Sequence, residues 1–191
     1  MSELNILDVL KRIKRLPQVV LPKDAAIIAA YTGLSPGWNV LDAGTGSGFL
    51  AMFIANLVKP GKVLSYEKNK EFADNVKKQI KKLDIKNLKI INKDIFKAEV
   101  SGKFDLVTLD LKYAEKLIPK IFNVIKHNGY IAVYSPYIEQ VKAVTKSIRK
   151  MNFADIKTVE NIVREWKVDE FTHPVPSGIL HTGWLTIARK V

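Results

Sequence analysis

The chain has 191 residues, of which 47% are hydrophobic and 26% are charged. This composition is typical of a globular protein of one main domain and excludes a disordered or fibrous protein. No apolar run approaches the roughly 20 residues that a membrane helix needs, and no secretory signal is evident near the N-terminus. Because the chain has no cysteine, disulfides, thiolate metal sites and cysteine nucleophiles are excluded. We expect a cytoplasmic protein with no membrane partner.

The charge is strongly basic, with 31 lysines and arginines against 19 acidic residues and a formal net charge of +12. Such an excess attracts nucleic acid or another polyanion. It is equally typical of a lysine-rich protein whose helices are coated with solvated lysines, so charge alone leaves both interpretations open. The three histidines, at 127, 173 and 181, have no metal-ligand spacing, and we predict no metal site.

In chain order, residues 3–15 predict a short N-terminal helix, and a second helix enters through Pro22-Lys23-Asp24. Short apolar runs rich in β-branched residues then alternate with stretches of helical periodicity, such as 72–83, 117–125 and 141–151. This alternation predicts an α/β fold with a doubly wound parallel sheet and right-handed crossovers. The five predicted parallel strands are Val40–Leu41, Val63–Tyr66, Leu88–Ile91, Phe104–Leu109 and Ile131–Tyr134.

The last third of the chain breaks this rhythm. Ile156–Val168 and Ile179–Ala188 both look like strands, and the link between them carries Pro174, Pro176 and Gly178 rather than a helical pattern. We predict a hairpin-like pair, so that the sheet ends with an antiparallel strand. The predicted domain organisation is a helical extension over residues 1–20 followed by one domain over residues 21–191.

The segment Asp42-Ala43-Gly44-Thr45-Gly46-Ser47-Gly48 follows the first predicted strand and opens the helical stretch Phe49–Leu57. Glycines allow the backbone to turn sharply and approach a ligand, and the helix N-terminus offers free amides. A dinucleotide site would have the spacing G-x-G-x-x-G, whereas here the spacing is G-x-G-x-G and an acid precedes it. The acid would repel a pyrophosphate but suits a ligand with a positive centre, such as the sulfonium and ammonium of S-adenosylmethionine.

Three further acids stand near the ends of other predicted strands. Glu67 is placed to accept both hydroxyls of a ribose, as the equivalent acid does in dinucleotide folds. Asp94 follows the third strand and is placed to face an adenine amine, and Asp110 follows the fourth. The alternative for any one of them is a carboxylate that caps a helix or turn. Together with the glycines, they indicate a cofactor crevice at the carboxyl ends of the strands.

The glycine segment with Glu67 resembles the class I S-adenosylmethionine-dependent methyltransferases, which have a Rossmann-like fold with a mostly parallel seven-stranded sheet, helices on both faces and an antiparallel C-terminal strand. Further segments are similar to the tRNA (adenine-N1)-methyltransferases that act on adenine 57 or 58 in the T-loop. These segments are Leu21-Pro22-Lys23-Asp24, Ser65-Tyr66-Glu67, Leu109-Asp110-Leu111, Tyr134-Ser135-Pro136 with Ile138-Glu139-Gln140-Val141, Arg164-Glu165-Trp166 and His181-Thr182-Gly183.

The resemblance implies S-adenosyl-L-methionine as the cofactor, tRNA as the substrate and a homo-oligomer, in this family usually a tetramer. It also implies a small β-rich domain before the catalytic one, for which residues 1–20 offer no counterpart. Asp110 is expected to contact both the cofactor and the target base and to be the catalytic residue. The expected cofactor-binding residues are Asp42, Gly44, Gly46, Ser47, Gly48, Phe49, Leu50, Glu67, Asp94 and Asp110.

One departure from the family concerns the loop that shapes the base pocket. After Leu109-Asp110-Leu111 the family usually carries prolines and a tryptophan, whereas here Lys112-Tyr113 follows and a helix begins at once. Asp110 therefore has a competing role as the cap of that helix. Two other functions stay open: methylation of a small molecule such as a tetrapyrrole precursor, and a non-catalytic RNA-binding or assembly subunit.

Overall fold

The structure is a computed structural model, and it describes residues 5, 6, 8, 20–176 and 181–191. The predicted helix over residues 3–15 lies mostly outside the described residues. The described helices are α1 (Pro22–Thr32), α2 (Phe49–Leu57), α3 (Lys70–Lys82), α4 (Ala114–Ile121) and α5 (Ile138–Arg149), and a 3₁₀ turn covers Phe122–Val124. The strands are β1 (Val40–Ala43), β2 (Val63–Tyr66), β3 (Leu88–Ile91), β4 (Phe104–Leu109), β5 (Ile125–Ser135), β6 (Phe153–Glu160), β7 (Trp166–Lys167), β8 (His173–Pro174) and β9 (Trp184–Lys190).

Seven strands form one sheet in the order β3-β2-β1-β4-β5-β9-β6. The first five are parallel, and β9 runs antiparallel to both of its neighbours. The predicted α/β fold, with its mostly parallel sheet and antiparallel C-terminal strand, is therefore confirmed. The strand order reverses between β1 and β4, and in such sheets ligands bind outside the carboxyl ends of the strands at this point.

Helices cover both faces of the sheet. On one face α1, α2 and α3 enclose a core that contains Phe49, Met52 and Val76. On the other face α4 and α5 enclose a second core that contains Leu117 and Val144. The strands between these layers are buried on both sides, and this explains their nearly continuous apolar sequences.

The C-terminal third differs from its prediction in two ways. The predicted strand Ile156–Val168 is divided: β6 ends at Glu160, and Trp166–Lys167 instead pairs with His173–Pro174 in a separate two-stranded sheet. The antiparallel strand also does not end the sheet, because β9 lies between β5 and β6 and leaves β6 at the edge. The antiparallel pairing of β6 with β9 is confirmed, although the second predicted stretch began at Ile179, which lies outside the described residues.

No helix among the described residues is long and apolar enough to cross a membrane.

Candidate active site

The glycine turn brings the ends of β1 and β4 into direct backbone contact. Asp110 donates its N–H to the Ala43 carbonyl over 2.9 Å. Gly44 has a φ of +92°, and a Cβ placed on it would lie only 2.0 Å from the Asp110 carbonyl oxygen. Because no side chain fits at Gly44, glycine is a steric requirement there, and the turn and Asp110 are held against each other.

The other two glycines have different surroundings. A Cβ on Gly48, at φ +83°, would meet Val76 Cγ1 at 2.7 Å, so Gly48 lets α3 pack closely against the turn. Gly46, at φ +53°, has only the Gly44 carbonyl oxygen within 4 Å of such a Cβ, at 3.9 Å. The open side of the turn, where a ligand can approach, is therefore at Gly46.

The start of α2 presents its backbone rather than its side chains to this turn. Ser47, Phe49 and Leu50 are all buried, with relative exposures of 3%, 1% and 8%. Gly48 is the N-cap residue and has no side chain to satisfy the first amides of the helix. If these predicted residues bind a ligand, they do so chiefly through backbone N–H groups, which favour an anionic or hydrogen-bond-accepting group.

Asp42 lies inside β1 rather than after it, and each oxygen of its buried carboxylate accepts a hydrogen bond from the protein. Ser65 Oγ donates to one oxygen over 2.5 Å, and Thr108 Oγ1 donates to the other over 2.7 Å. The same Ser65 hydroxyl lies 2.5 Å from Thr45 Oγ1 in the glycine turn. Burial raises the pKa of Asp42 despite these two hydrogen bonds. The geometry therefore gives Asp42 a positioning role through Thr45, and its predicted direct contact with a cofactor stays a prediction.

Glu67 follows β2 and closes over the turn from the other side. Its Oε2 accepts the Gly46 N–H over 2.9 Å and its Oε1 accepts the Asn69 N–H over 2.8 Å. Asn92, just after β3, holds the same segment by donating to the Glu67 carbonyl over 2.8 Å. The carboxylate is thus fixed at the open side of the turn, and each of its oxygens has capacity for one more donor, such as a sugar hydroxyl.

Asp94 is half-buried beyond the end of β3. One of its carboxylate oxygens accepts the Phe96 N–H over 3.0 Å, and its carbonyl accepts the N–H groups of Lys97 and Ala98. This is the turn-capping role that the sequence left open as the alternative. Its other carboxylate oxygen has no hydrogen-bond partner in the described part of the chain, so the predicted contact with an adenine stays a prediction.

Asp110 differs from the other acids because its carboxylate has no hydrogen-bond partner among the described residues. Burial raises its pKa to about 7, and the nearby charges of Asp42 and Glu67 add to the effect. It does not cap α4, since the N-cap residue of that helix is Tyr113, which makes no side-chain capping bond. An unpartnered carboxylate with a raised pKa at a sheet's carboxyl edge is typical of a functional group.

A second cluster, which the sequence did not assemble, joins three parts of the chain. The Lys23 ammonium donates to Asp24 Oδ1 over 2.8 Å, to Thr182 Oγ1 over 2.8 Å and to the Asn161 carbonyl over 2.5 Å. Thr182 Oγ1 in turn donates to Asp24 Oδ2 over 2.9 Å. The network fixes the start of α1 to the end of β6 and to the segment before β9. The sequence singled out Leu21-Pro22-Lys23-Asp24 and His181-Thr182-Gly183 separately but did not join them, because Asn161 and Thr182 are about 140 to 160 residues from the start of α1 in the chain.

Tyr134 connects this cluster to Asp110. Its hydroxyl donates to the Thr182 carbonyl, and its ring packs so closely on Gly183 that a Cβ there would lie 2.6 Å from the ring. Burial raises the pKa of Tyr134 to about 12, and the carboxylates of Asp24 and Asp110 add to the shift. The phenol therefore stays neutral and forms a fixed aromatic wall beside Asp110.

These residues suit a ligand that carries a positive centre and a diol. Asp42, Glu67 and Asp110 lie close enough for their charges to interact. The surplus of negative charge disfavours a pyrophosphate, whereas the open edge at Gly46, the fixed Glu67 carboxylate and the unpartnered Asp110 carboxylate fit S-adenosylmethionine. Among the described residues no group of histidines and acids could hold a metal ion.

A sequence profile of the family described as the tRNA methyltransferase complex GCD14 subunit matches residues 10–182. This chain belongs to that family. Family members with assigned functions include the tRNA (adenine(57)-N(1)/adenine(58)-N(1))-methyltransferase TrmI of Methanocaldococcus jannaschii, which is 35% identical over 98% of this chain and 77% of its own length. The tRNA (adenine(58)-N(1))-methyltransferase TrmI of Thermus thermophilus is 30% identical over 95% of this chain and 72% of its own length. The predicted family is therefore confirmed.

Solved structures agree with this family assignment. An S-adenosylmethionine-dependent O-methyltransferase from Thermotoga maritima superposes with a TM-score of 0.90 at 30% identity, over 98% of this chain and 72% of that one. The tRNA (m1A58) methyltransferase TrmI from Aquifex aeolicus superposes with a TM-score of 0.89 at 27% identity, over 98% and 76%. A precorrin-6y methyltransferase from Geobacter metallireducens reaches 0.81 at 15% identity over 94% and 96%, a likeness of fold alone.

Proposed function

We propose that this member of the GCD14 family transfers a methyl group from S-adenosylmethionine to N1 of an adenine in tRNA. Family membership gives the reaction class: the protein is an S-adenosylmethionine-dependent methyltransferase. The observation that carries the rest is the Asp110 carboxylate, which is unpartnered among the described residues and lies just after β4, where the strand order reverses. A substrate amine is the missing donor that such a carboxylate fits.

The residues that would hold the cofactor are the backbone of Gly46 and of the first turn of α2, together with Glu67, Asp94 and Asp110. When bound, S-adenosylmethionine supplies a methyl group on a positively charged sulfur. Glu67 is positioned to accept hydroxyl groups of the ribose, and the free oxygen of Asp94 is available to an adenine amine. Gly44 and Gly48 are required for the shape of the turn, because their added Cβ atoms would point into protein, and their predicted contact with the cofactor stays a prediction.

The acceptor side needs orientation more than base catalysis. Adenine N1 already carries a lone pair, so no residue has to remove a proton to create the nucleophile. Holding N1 at attack distance supplies up to roughly 7–11 kcal/mol of the barrier reduction. Asp110, by accepting from the exocyclic amine, orients the ring and stabilises the positive charge that the ring gains on methylation. Tyr134 limits the volume beside Asp110 and keeps the base in plane.

The decisive assay incubates the protein with radiolabelled S-adenosylmethionine and unmodified tRNA, followed by digestion and nucleoside analysis. We expect N1-methyladenosine, and Asp110→Asn should lose it while the variant still binds cofactor by calorimetry. Label in another nucleoside would correct the acceptor atom. Absence of label from tRNA, together with cofactor binding, would overturn the tRNA proposal and favour a small-molecule acceptor.

We also propose that the protein acts as a homo-oligomer assembled through its C-terminal arm, residues 161–176. This arm exposes large apolar side chains, with relative exposures of 54% for Trp166, 79% for Val168 and 75% for Phe171. Several exposed large apolar side chains in one segment are characteristic of a protein interface, and a second copy of the chain is the partner that we infer. Sedimentation should show an oligomer, a tetramer by family resemblance, which Val168→Ser with Phe171→Ser dissociates. A monomeric wild-type protein at micromolar concentration would refute the proposal.

A further inference from the structure

Helix α5 carries a row of cations along one side. Lys142, Lys146 and Lys150 are spaced by four residues, Arg149 lies beside them, and all four side chains are exposed. Because a helix rises about 1.5 Å per residue, the three lysines span about 12 Å. With Val141 and Thr145 they line a shallow groove of about 470 Å³. We call Lys142, Lys146, Arg149 and Lys150 the α5 strip.

The charge of the α5 strip is not balanced within the described part of the chain. None of its four residues forms an ion pair there, and the only acid of the helix is Glu139 in its first turn. Like charges four residues apart destabilise a helix by about 0.2–0.5 kcal/mol per pair. The helix dipole compensates for cations in the last turn, but Lys142 lies in the middle of the helix. The strip is therefore better explained by an external anion than by helix stability.

Helix α5, which carries the strip, begins at the same edge of the sheet as Asp110. Helix α5 follows β5, which pairs with β4, and β4 ends one residue before Asp110. The N-cap residue of α5, Tyr137, has 58% of its surface exposed, and Ile138 has 41%. The strip lies on the helix that begins beside this exposed aromatic ring, and surfaces that bind single-stranded nucleic acid combine cations that contact phosphates with aromatic rings on which bases stack.

We propose that the α5 strip binds the phosphate backbone of the tRNA segment that carries the target adenine. The proposal rests on the proposed function and adds the surface through which the substrate approaches. Phosphate contacts position the RNA without reading its sequence, so the strip governs tRNA affinity and its salt dependence rather than the chemical step. An acidic protein would also be attracted by the cations, and a loss of tRNA binding confined to the strip variant distinguishes the two partners.

The test compares two triple variants of the whole chain. The first is Lys142→Ala with Lys146→Ala and Lys150→Ala. The matched control is Lys78→Ala with Lys81→Ala and Lys82→Ala on α3, which removes the same charge from another helix whose lysines are also exposed. Binding of unmodified tRNA is measured by filter retention over a range of salt concentrations, and circular dichroism melting verifies that each variant is folded.

The strip variant should bind tRNA about tenfold more weakly or worse at 100 mM salt, and its plot of log affinity against log salt should flatten by about 2. The control should stay within about twofold of wild type. The KM for tRNA should rise in the strip variant, while kcat at saturating tRNA and cofactor affinity should be unchanged. Lys142→Glu alone should weaken tRNA binding more than Lys142→Ala.

Equal losses in the two triple variants, or none in the strip variant, would overturn the strip as a tRNA site. This outcome is separable from failure of the proposed function. A wild-type protein that forms N1-methyladenosine while the two variants behave alike refutes only the strip. A wild-type protein that forms none, but whose tRNA binding falls selectively in the strip variant, supports the strip and refutes the methylation proposal.

Discussion

The ends of β1 and β4 carry two aspartates whose surroundings are opposite, although both belong to the same acidic cluster. Asp42 is 1% exposed, and a neighbouring hydroxyl donates to each of its oxygens. Asp110 is half-buried, and its carboxylate has no described partner. Burial raises both pKa values, so the direction of the pKa shift does not distinguish the two. Hydrogen bonding does: each oxygen of Asp42 accepts a hydroxyl of the protein, whereas the Asp110 carboxylate has no partner among the described residues and is available to a ligand.

The largest expected effect on stability comes from a substitution that breaks the contact between these two strand ends. Gly44→Ala would place a methyl group 2.0 Å from the Asp110 carbonyl oxygen, and relief requires separating the ends of β1 and β4. We expect a loss of about 3 kcal/mol or more in unfolding free energy, measured by urea denaturation, together with loss of cofactor binding. Gly46→Ala is the control, because only backbone strain of about 1–2 kcal/mol opposes it. Similar losses for both variants would contradict the steric argument.

Asp110→Asn removes the unsatisfied carboxylate and keeps its shape. We expect methyl transfer to tRNA at saturating substrates to fall by about 10²–10³-fold, as when one preorganised electrostatic group is lost from a site. Single-turnover rates measure the effect, and calorimetry with S-adenosylmethionine separates it from cofactor binding. A decrease of less than about tenfold with cofactor affinity intact would remove Asp110 from the chemical step.

Asp42→Ala should affect stability more than it affects methyl transfer. It leaves the hydroxyls of Ser65 and Thr108 buried without their acceptor, at a cost of about 1–3 kcal/mol in unfolding free energy. Thermal melting measures this cost, and methyl transfer corrected for folded fraction should fall less than in Asp110→Asn. If Asp42→Ala melted like wild type but lost the chemical step, the two aspartates would have exchanged roles.

The pH dependence of stability sharpens the comparison further. The pKa of Asp110 is about 7 in the folded protein and 3.8 in the reference state, so the native state retains a proton that the unfolded chain releases between these values. The unfolding free energy contributed by Asp110 therefore falls as pH rises through this window and is fully lost above about pH 7. The melting temperature of Asp110→Asn should exceed that of wild type by an amount that increases from pH 4 to pH 8. A constant difference across this range would contradict the raised pKa.

The same ionisation links pH to cofactor affinity. Because only the ionised Asp110 attracts a positive centre, S-adenosylmethionine should bind several-fold more tightly at pH 8 than at pH 6, with a smaller change for the uncharged thioether product. Calorimetry in two buffers of different ionisation enthalpy should detect proton release on binding to wild type, and less to Asp110→Asn.

Much of this site could be predicted from sequence because its signals are local. The glycine turn stands directly after an apolar run, and Glu67 and Asp110 each come immediately after a strand whose bounds the sequence predicted. The hydrogen bonds that Asp42 accepts could not be predicted, since its donors Ser65 and Thr108 come from two other strands. Only the order of the strands in the sheet places these residues beside Asp42. The cluster of Lys23, Asp24 and Thr182 was missed for the same reason.

The errors in the fold have a similar origin. Ile156–Val168 is continuous in β-propensity, but Asn161, just after β6, donates its side-chain amide to the Lys23 carbonyl, and β7 pairs with β8 instead. Likewise, periodicity identified β9 as a strand without revealing that it inserts between β5 and β6. Pairing of this kind depends on long-range contacts, which local sequence patterns do not contain.

The position of β9 has a consequence for how the protein is made. It is the last strand in the sequence but an interior strand of the sheet, so β5 presents a bare, apolar edge until residues 184–190 have left the ribosome. Gly183, against which the Tyr134 ring packs, leaves the ribosome together with β9. The nascent chain therefore carries an aggregation-prone edge and a Tyr134 ring without its Gly183 contact, and the docking of β9 removes both.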